Sequence, residues 1–240
     1  GAAPSLVAIC FRVYLEEPEA PHPKGKRVSS WYHSSIPILS KPFLLLLAVS
    51  VTWSMHGFAS FGLFGDSHNV VNALMSSPGD SLYLLVKRGV VIDILLASLR
   101  LVGNLVGAYF IQRGASLKRI QWLGLVGMVG GIWVCGFCTS MAWLAAFSFC
   151  ATALMDGVVV MTLYIVPIVC FPRTIRASAV GMASGIGKVG AVIGAALCPV
   201  LAVQYGISVT VIIYGAVAAV GIGSTFFMPN TVLQDCRDFL

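Results

Sequence analysis

Lys188 stands alone among small and apolar residues in Gly187-Lys188-Val189-Gly190-Ala191, a few turns after the basic loop Phe171-Pro172-Arg173-Thr174-Ile175-Arg176. An ammonium inside an apolar helix is costly unless it meets an anion, a partner or water, so it marks either a solute path or a neutralised pair. Other polar groups share its depth. Counting ~1.5 Å per residue from the start of each apolar run puts His56, Asp93, Asp156 and Lys188 roughly 14–21 Å into a core of about 30 Å, with Arg100 nearer the basic side. Asp93, Arg100 and Asn104 repeat at seven and four residues and so share one helical face, a stripe that has to look into a bundle or a wet cavity. Asp93 and Arg100 are two turns apart, too far to pair directly. Asp156 and Lys188, on neighbouring antiparallel segments at similar depth, are placed to form an ion pair. Two readings stay open. In one, Asp93, Asp156 and His56 are candidate proton carriers while Arg100, Asn104 and Lys188 contact an anion. In the other, these groups neutralise one another and tie helices together, and His56 only hydrogen-bonds across them.

The elements that position these groups follow from the apolar runs. Six segments, at 42–64, 84–111, 120–138, 143–170, 177–203 and 207–228, are each near the ~20 residues that span a bilayer. Residues 1–15 read as the end of a preceding helix, 16–41 as a basic, proline-rich loop, and 229–240 as a short polar tail. Arg12, Lys24, Lys26, Arg27, Lys41, Arg113, Lys118, Arg119, Arg173, Arg176 and Arg237 fall on one side of this arrangement, against Lys87 and Arg88 on the other. That bias places the first group, and both termini, on the cytoplasmic side or its topological equivalent. Gly103 with Gly107, Gly181 with Gly185, and Gly190 with Gly194 have the spacing that lets helices pack closely.

Composition excludes the main alternatives. A mean hydropathy of +0.91, with 58% apolar and 10% charged residues, is far from a soluble domain with about 25% charged residues. Long continuous apolar runs also differ from the short alternating strands of an outer-membrane barrel. The expected class is an all-α, integral, multi-pass membrane protein whose first partner is the lipid bilayer. The net charge of +6 sits in inter-helix loops, where membrane orientation accounts for it, so nucleic acid is not expected as a partner. Cys135 and Cys138 form a CxxC without a second ligand pair, which favours small thiols at helix contacts over a metal site. No Ser-His pair, His-rich cluster or nucleophile-elbow motif is present, so neither an enzyme, a catalytic residue nor a cofactor is expected.

Ile165-Val166-Pro167-Ile168-Val169-Cys170-Phe171-Pro172, Arg176 four residues later, and Gly187-Lys188-Val189-Gly190-Ala191-Val192-Ile193-Gly194 together resemble the major facilitator superfamily. Within it they are most similar to the proton-coupled phosphate symporters, whose tenth helix ends in a pattern like IVPAEIFP and whose next helix carries GKxGAxxG. Trp53 with Phe61-Gly62, and Ile120-Gln121-Trp122-Leu123-Gly124 after a basic loop, extend a looser likeness over nearly the whole chain. The resemblance implies a six-helix bundle corresponding to helices 7–12, with Lys188 and Trp53 at the site for phosphate or another small anion. It also marks departures: the family's seventh-helix carboxylate falls at Gly57, its site tyrosine at Phe61, its tenth-helix asparagine at Val160, and its glutamate before Phe-Pro at Val169. A facilitator binds substrate between two six-helix halves. An N-terminal half, or other membrane subunits, is therefore expected to cover the polar face. The function expected is proton-coupled anion transport. The alternative is a half-facilitator kept as an accessory subunit of a larger membrane complex.

Overall fold

The computed structural model describes residues 41–65, 67, 81–171 and 173–229. The stretch 1–15, the loop as far as residue 40 and the tail beyond 229 lie outside the described residues. Among those described, the fold is all α: α1 (Lys41–Gly65), α2 (Leu82–Gln112), α3 (Leu117–Phe137), α4 (Ala142–Cys170) and α5 (Arg173–Thr225). All five are long and apolar enough to cross a membrane. Their limits follow local chemistry. The Ser81 hydroxyl caps α2 by accepting from the Leu84 N–H at 3.3 Å. Gly114, at φ 85°, turns the chain from α2 into α3 in a conformation other side chains resist.

Five helices therefore stand where six segments were expected, because those at 177–203 and 207–228 follow each other without an intervening loop, as one 53-residue element kinked at Gly206. A straight helix of that length would measure ~80 Å, well over twice the hydrocarbon core. It is not straight. Gly206 has φ 80° and ψ 163°, a region that glycine alone enters readily. The Tyr214 hydroxyl donates to the Gly194 carbonyl, although twenty residues along an unbroken helix would separate them by ~30 Å. The chain thus doubles back at Gly206, and its two arms lie side by side.

Close contacts give the relative directions. Gly187, Gly190 and Gly194 meet Trp53, Ser54 and Phe58 in ascending order, so α1 and the first arm of α5 are parallel. Gly62 meets Tyr214 while Gly221 meets Thr52 and Met55, so the second arm is antiparallel to α1. Gly103 and Gly107 meet Leu154 and Val158, which makes α2 parallel to α4. Gly124, Gly127 and Gly131 meet Val159, Met155 and Thr152, which makes α3 antiparallel to α4. In outline, α1 packs on α5, α2 packs on α4, and α3 bridges α4 and α5. One core gathers Leu63, Met128, Ile132, Phe149 and Tyr214; a second gathers Val49, Trp53, Leu125, Val159 and Leu163. The small-residue spacings divide in use. Gly190 and Gly194 seat α5 on α1, and Gly103 seats α2 on α4, whereas Gly181 and Gly185 face open space.

Candidate functional site

Three of the expected polar residues converge. His56 and Ser60 lie one turn apart on α1, Arg100 is on α2, and Asp156 is on α4. The His56 Nε2–H donates to Asp156 Oδ1 at 2.7 Å, and Arg100 Nε donates to Asp156 Oδ2 at 2.5 Å. A terminal guanidinium nitrogen of Arg100 donates to Ser60 Oγ at 2.8 Å, and the guanidinium carbon stands 5.0 Å from the centre of the Phe64 ring. Asp156 has no exposed surface and His56 only 4%, while Arg100 keeps 33%. The Arg100 guanidinium offsets the Asp156 carboxylate, and the His56 ring closes the cluster as its third member.

The backbone makes this possible. Gly157, next to Asp156, lies against the Arg100 carbonyl and the Asn104 N–H, and Gly103 lies against Leu154. With no side chain between the two backbones, α2 and α4 approach until Arg100 reaches the carboxylate. Side chains on a helix lean toward its N-terminus, which carries the guanidinium back to the depth of Asp156.

This geometry corrects the expected Asp156–Lys188 pair: both carboxylate oxygens are already taken, by α1 and α2. Lys188 instead points outward. Its Nζ lies 4.8 Å from the centre of the Phe61 ring, which is itself 47% exposed. Nearby, Trp53 is buried between Gly187 of α5 and Tyr164 of α4, its ring edge-on to the tyrosine with centroids 4.9 Å apart. Phe61 and Lys188 are thus exposed together where α1 meets the first arm of α5, and Trp53 is packed beneath that arm against Tyr164 of α4. Among the described residues no carboxylate pairs with Lys188.

The remaining expected residues stand apart. Asp93 accepts from the Ser67 hydroxyl and does not meet Arg100. Asn104 is half-buried at the α2–α4 contact, one turn beyond Arg100. At Gly57, where the resemblance puts a carboxylate, a Cβ would stand 2.6 Å from the Gly187 carbonyl oxygen, so α1 and α5 close over that position. Cys135 and Cys138 are both free thiols.

Sequence reading missed the Arg100–Asp156 pair and the part played by Ser60. A signal was present. Counted from the expected starts of their parallel helices, Arg100 lies ~24 Å and Asp156 ~20 Å in, a difference smaller than an arginine side chain spans. No protein-family model matches this chain, and no curated protein matches it at a significant level.

Proposed function

We propose that this chain is the C-terminal bundle of a facilitator-type membrane transporter that carries phosphate or another small anion together with a proton. Counting the two arms of α5 separately gives six crossings of alternating direction, the number expected for helices 7–12 of that fold. The observation that carries the reading is Lys188: an ammonium halfway along a membrane helix, on an exposed face, with an aromatic ring beneath it and, among the described residues, no carboxylate beside it. At the bilayer centre such a charge costs about 2.5–3.5 kcal/mol or more, so the face must meet an anion, water or another polypeptide rather than lipid. Lys188 supplies charge and three N–H donors, and Trp53 packs against the neighbouring Gly187 in the interior. The His56–Asp156–Arg100 cluster, behind the same helix, is the candidate site for proton coupling. In this reading Arg100 holds Asp156 rather than the anion.

The test is uptake of radiolabelled inorganic phosphate into proteoliposomes holding the full-length protein, with and without an inward proton gradient. Lys188→Gln should lower uptake at least ten-fold, and Lys188→Arg should keep part of it. Wild-type uptake equal to that of empty liposomes rejects the phosphate-carrier reading.

One arrangement favours the accessory-subunit reading. The Asp156 carboxylate is already paired with Arg100, and the Gly57–Gly187 contact closes the place where a facilitator of this type keeps its carboxylate. In that reading the Lys188 face docks on an acidic surface of a neighbouring membrane subunit. Recovery of the protein from mild detergent only in a stoichiometric complex would support it, and a transport-competent form free of other subunits would exclude it.

A further inference from the structure

Away from the Lys188 face, a cleft of about 450 Å³ opens between the first turns of α3 and the end of α5, lined by Lys118, Arg119, Trp122, Leu123 and Phe226. The α3 residues are spaced i, i+1, i+4 and i+5, so two cations sit in one turn with an indole and a leucine in the next. Lys118 Nζ donates to the carbonyls of Phe226 at 2.7 Å and Met228 at 2.9 Å. These carbonyls belong to the turn that follows α5, so this lysine ties that turn to α3 and anchors one wall of the cleft. Arg119 is exposed, as are Leu123 at 60% and Phe226 at 63%.

The cleft therefore offers positive charge at its polar end and bare hydrocarbon along its walls. It lies where two apolar helices reach the end of their spans, the level at which tryptophan and basic residues meet lipid headgroups. A free inorganic anion would gain nothing from Leu123 and Phe226, and an uncharged acyl chain would gain nothing from Arg119. A molecule that joins a phosphodiester to acyl chains uses both.

We propose that this cleft binds one anionic glycerophospholipid of the adjacent leaflet, its phosphate at Lys118 and Arg119 and its chains along Trp122, Leu123 and Phe226. The site depends only on the chain being a membrane protein and is separate from the anion-transport reading. It is tested by native mass spectrometry of the detergent-purified full-length protein titrated with phosphatidylglycerol and with phosphatidylcholine. Wild-type protein should bind phosphatidylglycerol in preference. Arg119→Gln, at an exposed position, should weaken that binding about five-fold while leaving phosphatidylcholine unchanged, and Arg119→Lys should restore most of it. Equal binding of the two lipids, or no change in Arg119→Gln, overturns the proposal. So does displacement by inorganic phosphate at matched concentration, which would reveal a simple anion site. If phosphatidylglycerol binds only after residues 230–240 are removed, that tail is the occupant and the lipid proposal fails.

Discussion

Removing either charge of the Arg100–Asp156 pair should destabilise the protein, but by unequal amounts that the burial of each partner sets. Arg100→Gln leaves a carboxylate with no exposed surface, held by the His56 ring and the Ser60 hydroxyl but with no guanidinium to offset its charge. Loss of one partner of a buried pair typically costs about 3–5 kcal/mol, and full burial puts this variant in that range. Asp156→Asn leaves the guanidinium instead. Arg100 is one-third exposed and keeps Ser60 and the Phe64 ring, so its charge has somewhere to go, and about 2 kcal/mol is expected. In the double variant no charge is left without its partner, and although Gln is shorter than Arg only about 1–2 kcal/mol should be lost. The double variant must therefore be more stable than Arg100→Gln alone. The assay is equilibrium unfolding of the full-length protein in mixed micelles, followed by tryptophan fluorescence. Two results would refute the reasoning: losses that simply add in the double variant, or Asp156→Asn proving the more damaging single change.

Two further predictions use the same unfolding assay. Gly157→Ala forces a methyl group into the Arg100 carbonyl and should cost about 2–3 kcal/mol by prising α2 from α4, whereas Gly181→Ala, which faces open space, should be neutral or gain up to about 1 kcal/mol in helix propensity. Gly206→Ala must hold a side chain at φ 80° and should lose about 1–3 kcal/mol; an unchanged stability would mean that the reversal of α5 does not rest on that residue.

How much of this could be read from the sequence divides along a physical line. Run length is legible, because an apolar stretch near twenty residues has few alternatives to a membrane helix. The start of α2 at Leu82 and the end of α4 at Cys170 fall within two residues of the expected 84 and 170. Between residues 203 and 207 the sequence reads as a loop, yet a single glycine suffices to reverse the chain, so two expected segments merge into α5. Depth is also legible, since residue counting placed His56, Asp156 and Lys188 at one level. Rotation is not. Helices that are apolar on every side carry no hydrophobic stripe to fix which face turns inward. Asp156 and Lys188 share a depth but face apart, and that is why the expected ion pair does not form. The direction of Arg100 was hidden for a second reason: its side chain leans back along the helix, so its charge is shallower than its Cα.

The charges of the described bundle do not balance at mid-membrane, and the imbalance constrains what covers it. Asp156 and Arg100 cancel. Asp93 takes the Ser67 hydroxyl from its place on α2, a helix that does not pack on α5 and so brings no carboxylate to Lys188. Position 57, one turn beyond Trp53 and facing α5, is where a carboxylate could have met the ammonium, but Gly187 closes that space. The neighbouring His56 turns the other way, into the seam with α4. The His56–Asp156–Arg100 cluster and the Lys188 ammonium are therefore on opposite sides of α1, and among the described residues no carboxylate offsets Lys188. Both proposed readings supply the counter-charge from outside the described bundle, one as a bound anion and the other as an acidic side chain of a neighbouring subunit. Either occupant must be negative, so replacing Lys188 by a neutral residue is the change to which both readings are most sensitive.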